Sequence, residues 1–254
     1  MKHLNEYITE RLKINKDTYN GQYLESPENK EELKSIIKKR LKKDKNANLN
    51  DIDVSRIKDF SKLFDGLDPH NIDISQWDVS NAENMSYMFT DCKDFNSDLS
   101  KWDVSKVNTM FAMFNECQNF NSDLSKWDVS KVEDFGLMFT TCVKFSSDLS
   151  KWDVSKAKST GSMFYWCESF ESDLSKWDVS NVNKMINMFF HCRKFNSDLS
   201  KWNVSKVTNL FNTFNGCFRL DSDFSNWDVS NVKDMRFAFD NCPKLKNIPS
   251  WYKP

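Results

Sequence analysis

The sequence predicts a repeat solenoid, and three observations carry that prediction. Tryptophans recur at one unchanging interval, at Trp77, Trp102, Trp127, Trp152, Trp177, Trp202 and Trp227. Cysteines keep the same interval at Cys92, Cys117, Cys142, Cys167, Cys192, Cys217 and Cys242. A phenylalanine column runs through Phe64, Phe89, Phe114, Phe139, Phe164, Phe189, Phe214 and Phe239, giving about eight coils. A strict period of this length marks one supersecondary unit that cannot bury its apolar face alone and stacks on copies of itself.

One unit, residues 96–120, shows how the coil is expected to form. Leu99–Val104 mixes apolar and polar residues in a short β-prone segment and reads as a brief strand with a bend. Ser105 follows as a helix N-cap, and Ser80–Glu83 and Ser130–Glu133 have the spacing of full capping boxes. Val107, Met110, Met113, Phe114 and Cys117 then fall at helical or 3₁₀ spacing along one buried stripe. Burying one large side chain stabilises by ~1.5–3 kcal/mol, whereas ordering each residue costs ~1–2 kcal/mol in backbone entropy. A lone coil should therefore not fold. Eight strands stacked ~4.8 Å apart give a rod roughly 40 Å long.

The ends depart from the repeat. The opening coil has Ile52 where tryptophan is expected and Leu67 in place of cysteine, and Trp251 arrives one position early after Trp227. Ser26-Pro27-Glu28 is a helix start with proline in the first turn, and Leu33, Ile36, Ile37 and Leu41 form one apolar stripe. Residues 27–43 are expected to be a helix closing the N-terminal end. The domain division is thus 1–49, a helical leader and cap, and 50–254, the repeat solenoid.

The motif Met-Phe-x-x-Cys-x-x-Phe-x-x-Asp-Leu-Ser-x-Trp-Asp-Val-Ser resembles the 25-residue repeats of mycoplasma-type surface lipoproteins, which belong with the BspA-like leucine-rich-repeat surface proteins. The closing coil, Ala238-Phe239-x-x-Cys242-x-x-Leu245-x-x-Ile248-Pro249, resembles the BspA repeat more closely still. The resemblance covers about residues 50–252. It implies a leucine-rich-repeat-like α/β solenoid with strands on one face and helical turns on the other, used for adhesion or protein binding at a cell surface. The opening Met1–Leu12 resembles the short amphipathic leader of some phage-encoded proteins, which gives the alternative of a structural or packaged virion component using the solenoid as a spacer or attachment module.

Composition narrows the chemistry. Charges cancel to a net −1, although residues 1–50 carry 12 Lys/Arg against 8 Asp/Glu. No apolar signal segment, N-terminal lipid-anchor cysteine or membrane-length apolar run is visible, so the sequence points to a cytoplasmic or virion location and the resemblance to the cell surface. His3, His70 and His191 fall in unrelated places, with no phosphate loop, nucleophile elbow or His-Glu-x-x-His, so no enzyme and no cofactor is expected. Stacked cysteines come within disulfide range, but an odd count favours buried hydrophobes. The columns Asp98–Asp223 and Asp103–Asp228 invite calcium, yet lysines run alongside, Asn203 interrupts one column, and turn aspartates bond their own backbone. No metal site is expected. The run Lys38–Lys45 favours the dipole at a helix end over contact with nucleic acid or anionic lipid.

Binding residues in a repeat protein vary while the framework persists. Beside the invariant Phe and Cys, Tyr165 and Trp166 are followed one coil later by Phe190 and His191, then by Phe218 and Arg219. Aromatic residues with arginine are common interface anchors, so these six are the candidate surface for a protein partner, on a chain expected to be monomeric. Trp166 has a second reading: it sits in a coil thinned by Ala157, Thr160 and Gly161, where an inward indole would restore the missing volume.

Overall fold

A computed structural model describes residues 23–253; the leader resemblance and His3 lie outside the described residues. Successive repeats meet edge to edge in parallel and in constant register, through single bridges from Asp59 to Asn84, Thr109, Asp134, Ser159 and Lys184 in turn, and again from Asn209 to Asp234. A short ladder surrounds each bridge. The amides of Met110, Ala112, Phe114 and Glu116 donate to the carbonyls of Asp134, Gly136, Met138 and Thr140 at 2.8–3.0 Å. Alternate amides point to the next repeat, as parallel pairing requires.

Most of the repeat is a succession of three-residue turns. Trp102 N–H donates to Leu99 O, Val107 to Val104, Met113 to Met110, Cys117 to Phe114 and Phe120 to Cys117, all at 2.9–3.1 Å. The local conformations differ in part from those expected. Leu99–Val104 turns where a brief strand with a bend is expected, and the ladder runs through the stripe expected to be helical or 3₁₀, whose i→i+3 bonds keep the 3₁₀ spacing without forming a helix. Every residue of that stripe is nonetheless buried. Its spacing of three comes from turns, and the chain is turned out of a helix at Ala112 (φ 54°) and Glu116 (φ 64°). The equivalent left-handed positions hold Tyr87, Leu137, Trp166 and His191. Each side chain there costs ~1–2 kcal/mol, which the cross-repeat ladder offsets.

Aspartate rather than serine supplies the caps. The amide of Ser105 donates to Asp103 Oδ1 at 3.0 Å, and that of Ser100 to Asp98 Oδ1 at 2.9 Å. Neither capping box forms: Ser80 and Ser130 donate their amides to Asp78 and Asp128, while Glu83 pairs with Lys58 at 2.8 Å and Glu133 with Lys158 at 2.6 Å across repeats.

Two side-chain ladders add a second donor to buried carbonyls that already accept a turn amide. Each indole N–H reaches back past one full repeat: Trp102 to Ile74 O, Trp127 to Leu99 O and Trp152 to Leu124 O, at 3.0–3.1 Å. From Cys117 onward each thiol of the column does the same, Cys117 to Phe89 O, Cys142 to Phe114 O and Cys167 to Phe139 O, at 2.9–3.0 Å. All seven cysteines are free and buried. A third column works in the opposite direction, with the buried hydroxyls of Ser122, Ser147 and Ser172 accepting the amides of Leu99, Leu124 and Leu149 at 2.8 Å. Between these ladders the rings stack. Phe114 lies 5.6 Å from Phe89 and 5.7 Å from Phe139, and Trp152 lies 6.5 Å from Trp127 and from Trp177.

The sole α-helix among the described residues, α1 (Lys30–Leu41), covers the first repeat. It is shorter than predicted, because Asn29 rather than Ser26 caps it, accepting the Glu32 amide at 2.9 Å, and Pro27 is buried ahead of it. Leu33, Ile37 and Leu41 join the core, and Lys34 Nζ donates to the Lys62 carbonyl at 2.8 Å. At the other end Trp251 keeps its column despite arriving early, stacking 6.4 Å from Trp227 and donating to Phe224 O at 2.8 Å.

Burial pushes the Cys167 and Cys192 thiols well up from their ordinary range, so the thiolate needed for reaction is suppressed. A thiol reagent should label the native chain only as fast as it unfolds. Cys167→Ala removes one of the two donors to the Phe139 carbonyl, leaving the Cys142 amide at 2.9 Å, and should cost ~0.5–1.5 kcal/mol in urea denaturation; stability equal to the parent would mean the thiol bond contributes nothing.

Candidate interaction surface

Several conspicuous columns are consumed by the stack itself. Asp123, Asp148, Asp173 and Asp198 each accept the amide two positions on, and those bonds hold their carboxyls below the usual range. Asn203 accepts the Ser205 amide at 3.1 Å in the same way, so the position needs an oxygen and not a charge. Among the described residues no group of three or more His, Cys, Asp or Glu side chains is arranged to hold a metal ion. An open polar trough of about 570 Å³ runs along Asn46, Asn71, Asn96 and Asn121. Its asparagines act as staples: Asn96 Oδ1 accepts the Asn121 amide, and Asn121 Oδ1 the Ser146 amide, both at 2.8 Å.

The basic run divides. Arg40 is taken up by Glu25 at 2.7 Å and by Asp51, while Lys45 donates to the carbonyls of Leu67 and Asp68. Lys38, Lys39, Lys42 and Lys43 are exposed on and just after α1. Among the described residues no helix is long and apolar enough to cross a membrane.

The structure brings four of the six candidate residues together. Tyr165 stacks on Phe190 at 4.8 Å with rings 8° from parallel, and Trp166 stacks on His191 at 4.3 Å and 6°. Phe190 and His191 meet at 4.5 Å and Trp166 reaches Phe190 at 6.4 Å, so the two pairs form one cluster. Their backbone is fixed by the ladder: Trp166 N–H donates to Phe190 O, and His191 N–H to Asn215 O, both at 2.7 Å. All four are half-buried, and Trp166 is not part of the core. Its thin coil is sealed by buried Ala157 and Thr160 instead, which removes the inward reading.

Phe218 and Arg219 are both exposed but are not a pair. The guanidinium over the Phe218 ring belongs to Arg193, at 5.4 Å, and Arg193 also pairs with Glu168 at 3.5 Å. Arg193 and Phe218 stand one full repeat apart, so a sequence comparison confined to adjacent residues missed Arg193. Gly216 completes the cluster from below. It has φ 78°, and a Cβ there would lie 3.1 Å from the His191 ring, close enough that the imidazole would have to shift to admit it.

A second apolar surface went unread. Tyr87 and Phe111 meet edge-on at 5.2 Å with Lys62 over Tyr87, and Phe211 and Phe237 meet at 5.7 Å with Arg236 over Phe211. Tyr87 and Phe237 are exposed. Gly136 lies beside Phe111, where a Cβ would stand 3.0 Å from the ring and oblige it to shift. The signal was available as the columns three and two positions before the invariant Phe, where large apolar residues alternate with glycine and polar residues.

A family model described as Mycoplasma protein of unknown function, DUF285, matches residues 31–152 and, again, residues 137–252. No curated protein and no solved structure matches the chain.

Two expectations follow for the cluster. Gly216→Ala should destabilise by ~1–2 kcal/mol through its left-handed backbone, and should shift the His191 ring resonances as the imidazole leaves Trp166; unchanged resonances would show that the glycine does not seat the ring. Burial, then the nearby Arg193, lowers the pKa of His191 from 6.5. The unfolded chain therefore binds this proton first, so stability is full above 6.5 and falls as pH drops toward the lower folded value. Thermal melts across that window should show the loss in the parent and a smaller one in His191→Gln.

Proposed function

The chain belongs to the DUF285 family, and from its geometry we propose a non-catalytic recognition module, built as a leucine-rich-repeat-like solenoid over residues 50–254 and displayed for adhesion or protein binding. The observation that carries this reading is the aromatic cluster of Tyr165, Trp166, Phe190 and His191. Its rings lie on a ladder whose hydrogen bonds already fix their backbone, and they are half-exposed where the framework aromatics beside them are fully buried. Rigid aromatic side chains with little entropy left to lose are what a protein interface uses as anchors. Phe218 with Arg193 and Glu168 adds an exposed ring and charges of both signs.

The repeat frame supports the same reading. Its invariant residues are occupied with one another, so the variable positions are free to change without loss of the stack. The BspA-like resemblance supports surface display, and protease digestion of intact native cells tests it: loss of the chain without lysis is the expected result, and protection until lysis overturns display.

Recognition is tested by placing a photo-crosslinking amino acid at Phe218 or, as control, at Lys151 in native cells. A discrete protein adduct is expected from Phe218 only. The triple variant Tyr165→Ser, Phe190→Ser, Phe218→Ser should lose binding to the crosslinked protein with a shift of only a few degrees in Tm, in keeping with ~0.5–1.5 kcal/mol for each lost ring pair. Equal adducts at both positions, or a large fall in Tm, would remove these residues from the interface.

A further inference from the structure

Side chains one repeat apart in the same column come within bonding reach of one another. The ion pairs that bridge adjacent repeats join Lys58 to Glu83, Lys158 to Glu133, Arg193 to Glu168 and Lys246 to Asp221, at 2.6–3.5 Å. The column through Asp94 is complementary at first, with Asn119 Nδ2 donating to Asp94 Oδ1 at 2.8 Å. Further along it is not. Lys194, Arg219 and Lys244 occupy this column in three successive repeats, all exposed, with no carboxylate among them. Lys194 and Arg219 have no acceptor among the described residues, and Lys244 stands near an Asp221 already bonded to Lys246 at 2.7 Å. The framework lysines Lys126, Lys151, Lys176 and Lys201 also form a like-charged row, but each stands beside the aspartate three positions before it. The row through Arg219 has no such column of counter-charges, and like charges one rung apart are destabilising.

We infer that, given the recognition function proposed above, Lys194, Arg219 and Lys244 receive the acidic face of a helix on the partner protein, while Phe218 meets an apolar residue beside that face. Charge complementarity calls for carboxylates. The row offers cations alone, and the neighbouring Arg193 is already taken by Glu168 at 3.5 Å. Spacing selects what carries them. Rungs of the stack lie ~4.8 Å apart, and glutamates three or four positions apart on a helix have Cβ atoms about 5–6 Å apart. An extended strand spaces side chains on one face ~6.6 Å apart and would fall out of step with the row. Phe218 immediately precedes Arg219 and is 39% exposed, so the ring stands beside the row as an apolar anchor. Complementary charges of this kind set which partner is accepted and in what register.

The test follows the fluorescence anisotropy of a labelled, alanine-based helical peptide with glutamates at every third or fourth position of one face and a leucine beside them. At low salt it should bind about tenfold tighter than the same peptide with glutamines, and added salt should remove the difference. Lys194→Gln, Arg219→Gln and Lys244→Gln together should abolish that preference while Tm stays level or rises. The triple Lys126→Gln, Lys151→Gln, Lys176→Gln removes the same charge from the framework row and should retain it. Equal loss in both triples, or no preference for glutamate in the parent, overturns the inference. Tighter, row-dependent binding of a single-stranded oligonucleotide or of phosphatidylglycerol vesicles also overturns it, by making phosphate the ligand. Crosslinking at Phe218 reads the recognition function separately. A protein adduct there with no preference for glutamate sinks only the acidic helix, whereas absence of an adduct sinks the recognition reading itself.

Discussion

Everything in this chain depends on satisfying backbone carbonyls at a fixed register from one repeat to the next. A repeat made of short turns leaves carbonyls pointing inward, and a buried carbonyl without a donor costs roughly 1–3 kcal/mol. The turn amides of the same repeat meet that cost, and side chains from the neighbouring repeat add a second donor that ties the repeats together. The indole of Trp127 reaches Leu99 O, the thiol of Cys142 reaches Phe114 O, and the hydroxyl of Ser122 takes the Leu99 amide. A shift of a single position in stacking would break all three columns at once, which is why insertions are absent between Trp77 and Trp227.

The same constraint explains residues that look chemical. Cysteine is used because its thiol is both a small apolar filler and a donor, and burial keeps it protonated and therefore able to donate. Aspartate is used because its carboxylate accepts a turn amide, a task Asn203 performs equally well. The pH dependence that follows is modest in kind: these carboxyls are held low, so their contribution is present at neutral pH and lost as pH falls through their folded values.

With the frame self-satisfied, variation is confined to positions flanking it on the ladder. There the stacking that organises the core extends outward: Trp166 lies on His191 and Tyr165 on Phe190 with the same one-repeat offset as the buried rings. The stack thus presents side chains in register at its surface. Rigidity of this kind suits recognition, since little ordering remains to be done on binding.

The period, the number of repeats and the membership of the core were legible in the sequence because burial repeats with the chain, and each column from Leu99 to Phe120 shows its own regularity. The grouping of Tyr165, Trp166, Phe190 and His191 was legible for the same reason. Conformation was not. A spacing of three fits both a 3₁₀ turn and a string of three-residue turns, and the left-handed residues that decide between them, Ala112 or Leu137, carry no glycine to announce them. Nor could the sequence show that Arg193 rather than Arg219 meets Phe218, that Trp166 faces outward, or that Trp251 keeps its column. Those depend on which repeat lies against which, and on acceptors that the neighbouring repeat supplies, so only the folded stack decides them.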